Sequence, residues 1–185
     1  GAIPFVHGLF EFQVKRLDRE MAELVGRYFA EGFVKNMIDN ADHFLRVVPV
    51  GKSVDARQEI ATHEDARKII EDKSPIVVTD CICRKQKSLV SENCGAPLET
   101  CFMFGSMAQY YIDNGLGREI GKAEALEILA KAQEAGLVTQ PATARNPAGM
   151  CSCCGDCCGV LQSLNLHPRP AEMVFSNHFA AVDEE

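Results

Sequence analysis

Residues 76–83 read IVVTDCIC: a short β-branched run, an aspartate, then two thiols two positions apart. Val77, Val78 and Thr79 carry branched Cβ atoms, which favour an extended backbone. Ser74-Pro75 stops whatever precedes them, because proline drives the residue before it out of the helical region. In a regular strand Cys81 and Cys83 point to opposite faces. Both reach one metal only if the strand ends here and the backbone curls, and the loop 84–100, with Gly95 and Pro97, is expected to supply that curl.

Upstream, residues 17–38 are expected to form a long amphipathic helix capped by Asp18, with Leu17, Met21, Leu24, Val25, Tyr28 and Phe33 at helical spacing. FLRVVPV at 44–50 reads as a short strand, which Pro49 makes an edge or an exit. A helix over 62–72 would bury Ala66, Ile69 and Ile70. Downstream, a third helix is expected over 101–114, with Thr100 as its cap and Gly115 as its left-handed terminator. A fourth is expected over 122–135, with Glu124 in its first turn and Gly136 just past its end. Leu137-Val138-Thr139 follows as a strand, QPATARNPAG at 140–149 as a turn-rich loop, and Val160, Leu161 and Leu164 mark a last short helix before Pro168.

These readings give an α+β fold, mostly helical with short strands and two cysteine-rich metal loops. Helix 101–114, helix 122–135, strand, loop and strand make a winged-helix-like segment. The division is an N-terminal α+β part over 1–80 and a cysteine-rich part over 81–185, or one compact domain over 1–185.

Nine cysteines fall in two clusters, and the first 80 residues hold none. A disulfide framework spreads its cysteines to staple distant loops, whereas a metal needs several thiolates within one small sphere. The first cluster, DCICRKQKSLVSENCGAPLETC, offers Cys81, Cys83, Cys94 and Cys101, the ligand count of an iron–sulfur cluster or a structural zinc. Cys101, at the expected helix start, gains from the helix dipole, and Arg84 and Lys85 bring positive charge to an anionic cluster. The second, MCSCCGDCCGVL at 150–161, offers Cys151, Cys153, Cys154, Cys157 and Cys158. Its C-x-x-C, Cys154 to Cys157, has the spacing of a metal knuckle or a thiol–disulfide centre. Nine thiols suit two four-ligand sites with one to spare, or a single site at which both segments meet.

The remaining composition narrows the class. With 46% hydrophobic residues the 185-residue chain can bury a core. A net charge of −7, with Arg84-Lys85 and Lys87 the longest basic cluster, speaks against nucleic-acid binding. No apolar run approaches the ~20 residues that cross a bilayer, and residues 1–7 lack a secretory pattern, so a reducing cytoplasm is expected. His7, His43, His63, His167 and His178 lie outside the cysteine clusters; His167, nine residues past Cys158, is the one to watch. Gly115-x-Gly117 lacks a preceding strand and the third glycine of a dinucleotide loop.

The paired motifs C-x-C-R…N-C-x-x-P-x-E-T-C and M-C-x-C-C-x-x-C-C-G-V-L resemble the N-terminal cysteine-rich region of anaerobe 4Fe–4S ferredoxin-type proteins. The matching residues are Cys81, Cys83, Arg84, Asn93, Cys94, Pro97, Glu99, Thr100 and Cys101, then Cys151, Cys153, Cys154, Cys157, Cys158 and Gly159. The opening IPFVHGLFEFQVKRLD and the stretch GREIGKAEALEILAKAQEAGLV are similar too. The resemblance implies an iron–sulfur protein for electron transfer, the 4Fe–4S type foremost, as part of an iron–sulfur oxidoreductase. Its partner would be a redox protein or a following ferredoxin module. The chain ends at Val182-Asp183-Glu184-Glu185, where such a module would begin, which implies a piece of a longer protein. Asp156 stands where relatives carry a further cysteine, which leaves the second ligand set open. A zinc-stabilised interaction module and a thiol-based redox sensor are the alternatives.

Overall fold

A computed structural model describes residues 8–39, 45–48, 65–91 and 94–173. At its centre is a five-stranded antiparallel sheet. The strands are β1 (Ile76–Asp80), β2 (Glu99–Phe104), β3 (Arg118–Ile120), β4 (Val138–Pro141) and β5 (Gly149–Cys153), in spatial order β3-β1-β2-β5-β4. Mixed helix and sheet is the α+β class expected. β1, which precedes residue 81, pairs with β2, which follows it.

The helices cover both faces. A long one begins as α1 (Arg19–Tyr28), passes through a π-helical turn at Phe29–Phe33 and continues as α2 (Val34–Asp39). Asp18 caps it by accepting from the Met21 N–H at 2.8 Å. Then come α3 (Ala66–Glu71), α4 (Ile82–Val90), α5 (Gly105–Asp113), α6 (Lys122–Glu134), α7 (Gly159–Leu166) and the short α8 (Pro170–Met173).

Strand alternation sorts the core into two layers. Ile76, Val78, Phe102, Phe104, Ile120 and Met150 pack on one face against Ala66, Ile69 and Ile70 of α3 and Ala125 and Leu129 of α6. Val77 and Met103 face the other way, towards Val14, Leu17, Ala22, Ile82, Ala108 and Tyr111. Each fully buried large aliphatic side chain adds ~1.5–3 kcal/mol, so both layers hold the sheet. The second layer also holds the thiols.

Several expectations need correction. Residues 99–104 are strand β2, so Cys101 is not at a helix start and Thr100, 1% exposed, caps nothing. The reason is burial on both faces: Thr100 to Phe104 are all buried, which erases the alternation that marks a strand. The curl after Cys81 is helix α4 rather than a loop, with Cys81 as its N-cap residue. On α1 the inward side is Ala22 and Val25, continued by Phe29 of the π-helical turn, while Met21, Leu24 and Tyr28 are 37–50% exposed. Residues 45–48 run extended beside β4, with Arg46 N–H donating to Pro141 O and Val48 N–H to Thr139 O. Pro49, Thr62 and His7, His43, His63 and His178 lie outside the described residues.

Helices α3, α6 and α7 and strand β1 agree with expectation, while the short α8 lies where no helix is expected. Gly115 and Gly136, at φ 62° and 71°, close the helices before them. Helices α5 and α6 and strands β4 and β5 follow in the expected order, and the hairpin β4–β5 is part of the five-stranded sheet.

Candidate metal centre

The sheet register brings the two cysteine clusters together. Thr79 stands opposite Cys101 on β1 and β2, and Phe102 stands opposite Met150 on β2 and β5. Continuing that register sets Cys101 beside Cys151, and the two thiols hydrogen-bond. Cys153, two residues on, shares the face of Cys151. Helix α4 adds Cys81 and Cys83, and Cys158 is the N-cap residue of α7.

Six thiols thus close a ring. Cys81 contacts Cys83 and Cys101, Cys83 contacts Cys158, Cys158 contacts Cys153, and Cys151 joins Cys153 to Cys101. The other three form a separate trio. Cys94, Cys154 and Cys157 place their sulfurs within 4.8 Å of one another, close enough to hold a metal ion, and Cys94 and Cys154 are 3.7 Å apart. All nine cysteines are free thiols. The vicinal pairs Cys153-Cys154 and Cys157-Cys158 each send one thiol to the ring and one to the trio. The sequence clusters, 81–101 and 151–158, are therefore both divided: Cys94 leaves its neighbours to join Cys154 and Cys157.

Charge within the ring is patterned. Cys81 is held well below the usual thiol range, first by hydrogen bonds from Cys101 and Cys83 and then by Arg84, against its burial. Cys158 is held low by Cys153 and Cys83, with help from the Leu161 and Val160 N–H groups at the start of α7. Cys83 is pushed up by Cys158, Cys81 and burial. Cys151 is pushed up by Cys101, Cys153 and burial. At Cys101 the bond from Cys151 pulls down, but Cys81 and burial push up and prevail. At Cys153 the bond from Cys151 is likewise outweighed by Cys158 and burial. In the trio, burial raises Cys94 but the Ala96 N–H, Cys154 and Cys157 outweigh it and hold it low, while burial and both partners push Cys157 up.

Arg84 lies between the groups. It is 1% exposed, the largest fully buried side chain. It donates to Ser152 O at 2.9 Å and to Thr100 Oγ1, and it hydrogen-bonds Cys154. Its Nε finds no partner. Burial alone would lower its pKa, but Cys81, Cys101 and Cys154 outweigh that and raise it. No carboxylate pairs with it among the described residues. A buried cation without a counter-ion is costly, so thiolates must supply the negative charge. Lys85, by contrast, reaches Asp80 at 3.4 Å.

Of the further contributors, Gly159 belongs to the second cysteine motif and Phe33 to the amphipathic stripe, whereas Gln140 and Phe29 carry no signal in the sequence. Gln140, 1% exposed, donates to Cys158 Sγ at 3.8 Å. Phe29 and Phe33 of the π-helical turn stack at 4.5 Å, and Phe33 packs against Cys153 and Cys158. A Cβ on Gly159 would lie 2.5 Å from the Phe29 ring, so only glycine lets that ring close over the Cys158 backbone. A π-helical turn inside a helix often marks a functional site, and here it supplies an apolar shield. His167 belongs to neither group; its Nδ1 accepts from the Arg169 N–H at 3.1 Å. Asp156 is exposed in the turn between Cys154 and Cys157 and does not join the trio.

No helix of the described residues is long and apolar enough to cross a membrane. No protein-family model matches the chain, and no curated protein or solved structure matches it either.

Proposed function

We propose that this protein carries an iron–sulfur cluster on the six-thiol ring and serves electron transfer, as a component of a larger oxidoreductase. The observation that carries the reading is Arg84: a fully buried guanidinium with no carboxylate partner among the described residues, turned towards sulfur. An anionic thiolate cluster meets that need; zinc, the alternative, would need its four thiolates drawn closer than the ring sets them. The donor set fits: four ligands can be drawn from Cys81, Cys83, Cys101, Cys151, Cys153 and Cys158. When bound, the cluster supplies a reversible one-electron step.

The chain's own residues set the conditions for that step. Arg84 and the Gln140 amide place positive charge and a donor beside the sulfurs, which favours the reduced state. Phe29 and Phe33 keep water from Cys153 and Cys158. The resemblance of the motif pair supports a 4Fe–4S type, a redox protein or following ferredoxin module as partner, and a cytoplasmic setting. The winged-helix-like unit then acts as scaffold; with a net charge of −7 it is not read as a nucleic-acid binder.

The test is iron, acid-labile sulfide and zinc per chain on protein made without oxygen, with a visible spectrum. Matched iron and sulfide, with absorption that bleaches on reduction, are expected. Zinc without sulfide would replace this reading with a structural metal module.

A further inference from the structure

We propose that Cys94, Cys154 and Cys157 form a second, mononuclear centre, which holds one soft divalent cation through three thiolates and leaves its fourth position to an exchangeable external ligand. This rests on the cysteines being metal ligands but not on a cluster in the ring.

Spacing is the first argument. Metal–sulfur bonds of ~2.3 Å at tetrahedral angles set the sulfurs ~3.8 Å apart. The trio has its sulfurs within 4.8 Å of one another, and Cys94 and Cys154 are 3.7 Å apart. That fits a single ion at the common centre. No three thiols of the ring lie mutually within 4.8 Å, since no such group is found there among the described residues. The ring is thus the wider cradle and the trio the narrower.

The second argument is the ligand count. Among the described residues no fourth His, Cys, Asp or Glu shares the 4.8 Å sphere. Asp156 belongs to the same turn yet stays out of it. Zinc bound by three protein ligands keeps its fourth position for water or a substrate. Cys94 and Cys154 are half-buried, and Cys157 lines a cavity of about 160 Å³ together with Cys83, Gln86, Lys87 and Phe29. Access for solvent and small molecules therefore comes through the half-buried Cys94 and Cys154, since the cavity also touches the ring thiol Cys83.

Charge is the third. Three thiolates and a divalent cation sum to one negative charge. The buried Arg84, which interacts with Cys154 and whose Nε lacks a partner, contributes positive charge that the trio shares with the ring.

The experiment titrates Co²⁺ into the full 185-residue chain, prepared without oxygen or added thiols, beside a Cys94→Ser, Cys157→Ser double variant. The expected result is one fewer Co²⁺ per variant chain, with acid-labile sulfide unchanged. In the wild type, 2-mercaptoethanol should shift the visible cobalt bands, and Asp156→Ala should leave Co²⁺ binding intact. Equal Co²⁺ binding by wild type and double variant would overturn the site. Sulfide lost together with metal in the double variant would place these thiols on a cluster instead. Bands unmoved by thiol, or Co²⁺ lost in Asp156→Ala, would show a closed coordination sphere. Absence of sulfide from the wild type defeats the iron–sulfur reading alone and leaves the cobalt difference to decide this one.

Discussion

The ring and the trio are built from the same side chain, yet they differ in almost everything else. The ring draws its thiols from two strands and two helix starts, in the layer beneath α1 and α4, and is screened by Phe29 and Phe33. The trio hangs on the loop before β2 and on the turn Cys154 to Cys157, with two of its three thiols half-buried, against two of six, Cys83 and Cys151, in the ring. Removing a ring thiol therefore disturbs the core, while removing a trio thiol disturbs a rim. Burial and framework, rather than the cysteine count, separate a protected centre from one that meets solvent.

The largest expected effect is at the residue the two groups share. Arg84→Leu should strip metal from the ring and weaken the trio. Losing one partner of a buried charge network costs ~3–5 kcal/mol, read by denaturant unfolding of the loaded protein. Wild-type stability in Arg84→Leu would show that the guanidinium is not the counter-ion. Next comes Gly159→Ala. Its Cβ would meet the Phe29 ring at 2.5 Å, and overpacking of this kind costs ~1–3 kcal/mol. Ring metal should become easier to chelate, with trio metal unchanged.

How much of this was legible in the sequence follows from the kind of force involved. Asp18, Gly115 and Gly136 act through local geometry, and their roles could be read from residue type and spacing. Strand β1 was legible for the same reason. Strand β2 was not, because a strand buried on both faces shows no alternation, and Thr100 mimicked a cap. Of the apolar stripe expected over residues 17–38, Leu17, Val25 and Phe33 face the core, but Met21, Leu24 and Tyr28 are exposed and small Ala22 takes the inward place. That the nine cysteines would matter was plain; how they divide was not. The division depends on the pairing of β2 with β5, a contact between residues some fifty positions apart. Arg84 could be placed beside thiols from sequence, but its burial could not.

Two smaller effects sharpen the comparison. Ligand thiols must lose their protons before binding. Cys83, Cys101, Cys151 and Cys153 are held above the usual thiol range, so each keeps its proton to higher pH. Cys81 and Cys158 of the ring are held below it, and in the trio Cys94 is held below it and Cys157 above. Metal affinity should therefore rise with pH at both groups, more steeply at the ring, as followed by competition with a chelator across pH 6–9 (about the range in which thiols titrate). Equal slopes would remove the distinction. The smallest effect is expected at Glu99→Gln. Its carboxylate pairs with Arg118 at 2.8 Å only two residues from Cys101, but both side chains are 40–47% exposed. Such surface pairs are worth ~0–1 kcal/mol, and metal content should stay at the wild-type level.

The division of the thiols is tested most directly by acid-labile sulfide per chain in Cys94→Ser and Cys101→Ser, made side by side without oxygen. The two cysteines share a sequence cluster but belong to different groups in the fold. Sulfide retained in Cys94→Ser and lost in Cys101→Ser is the predicted result. Sulfide lost to the same extent in both would put Cys94 back with its sequence neighbours and contradict the account.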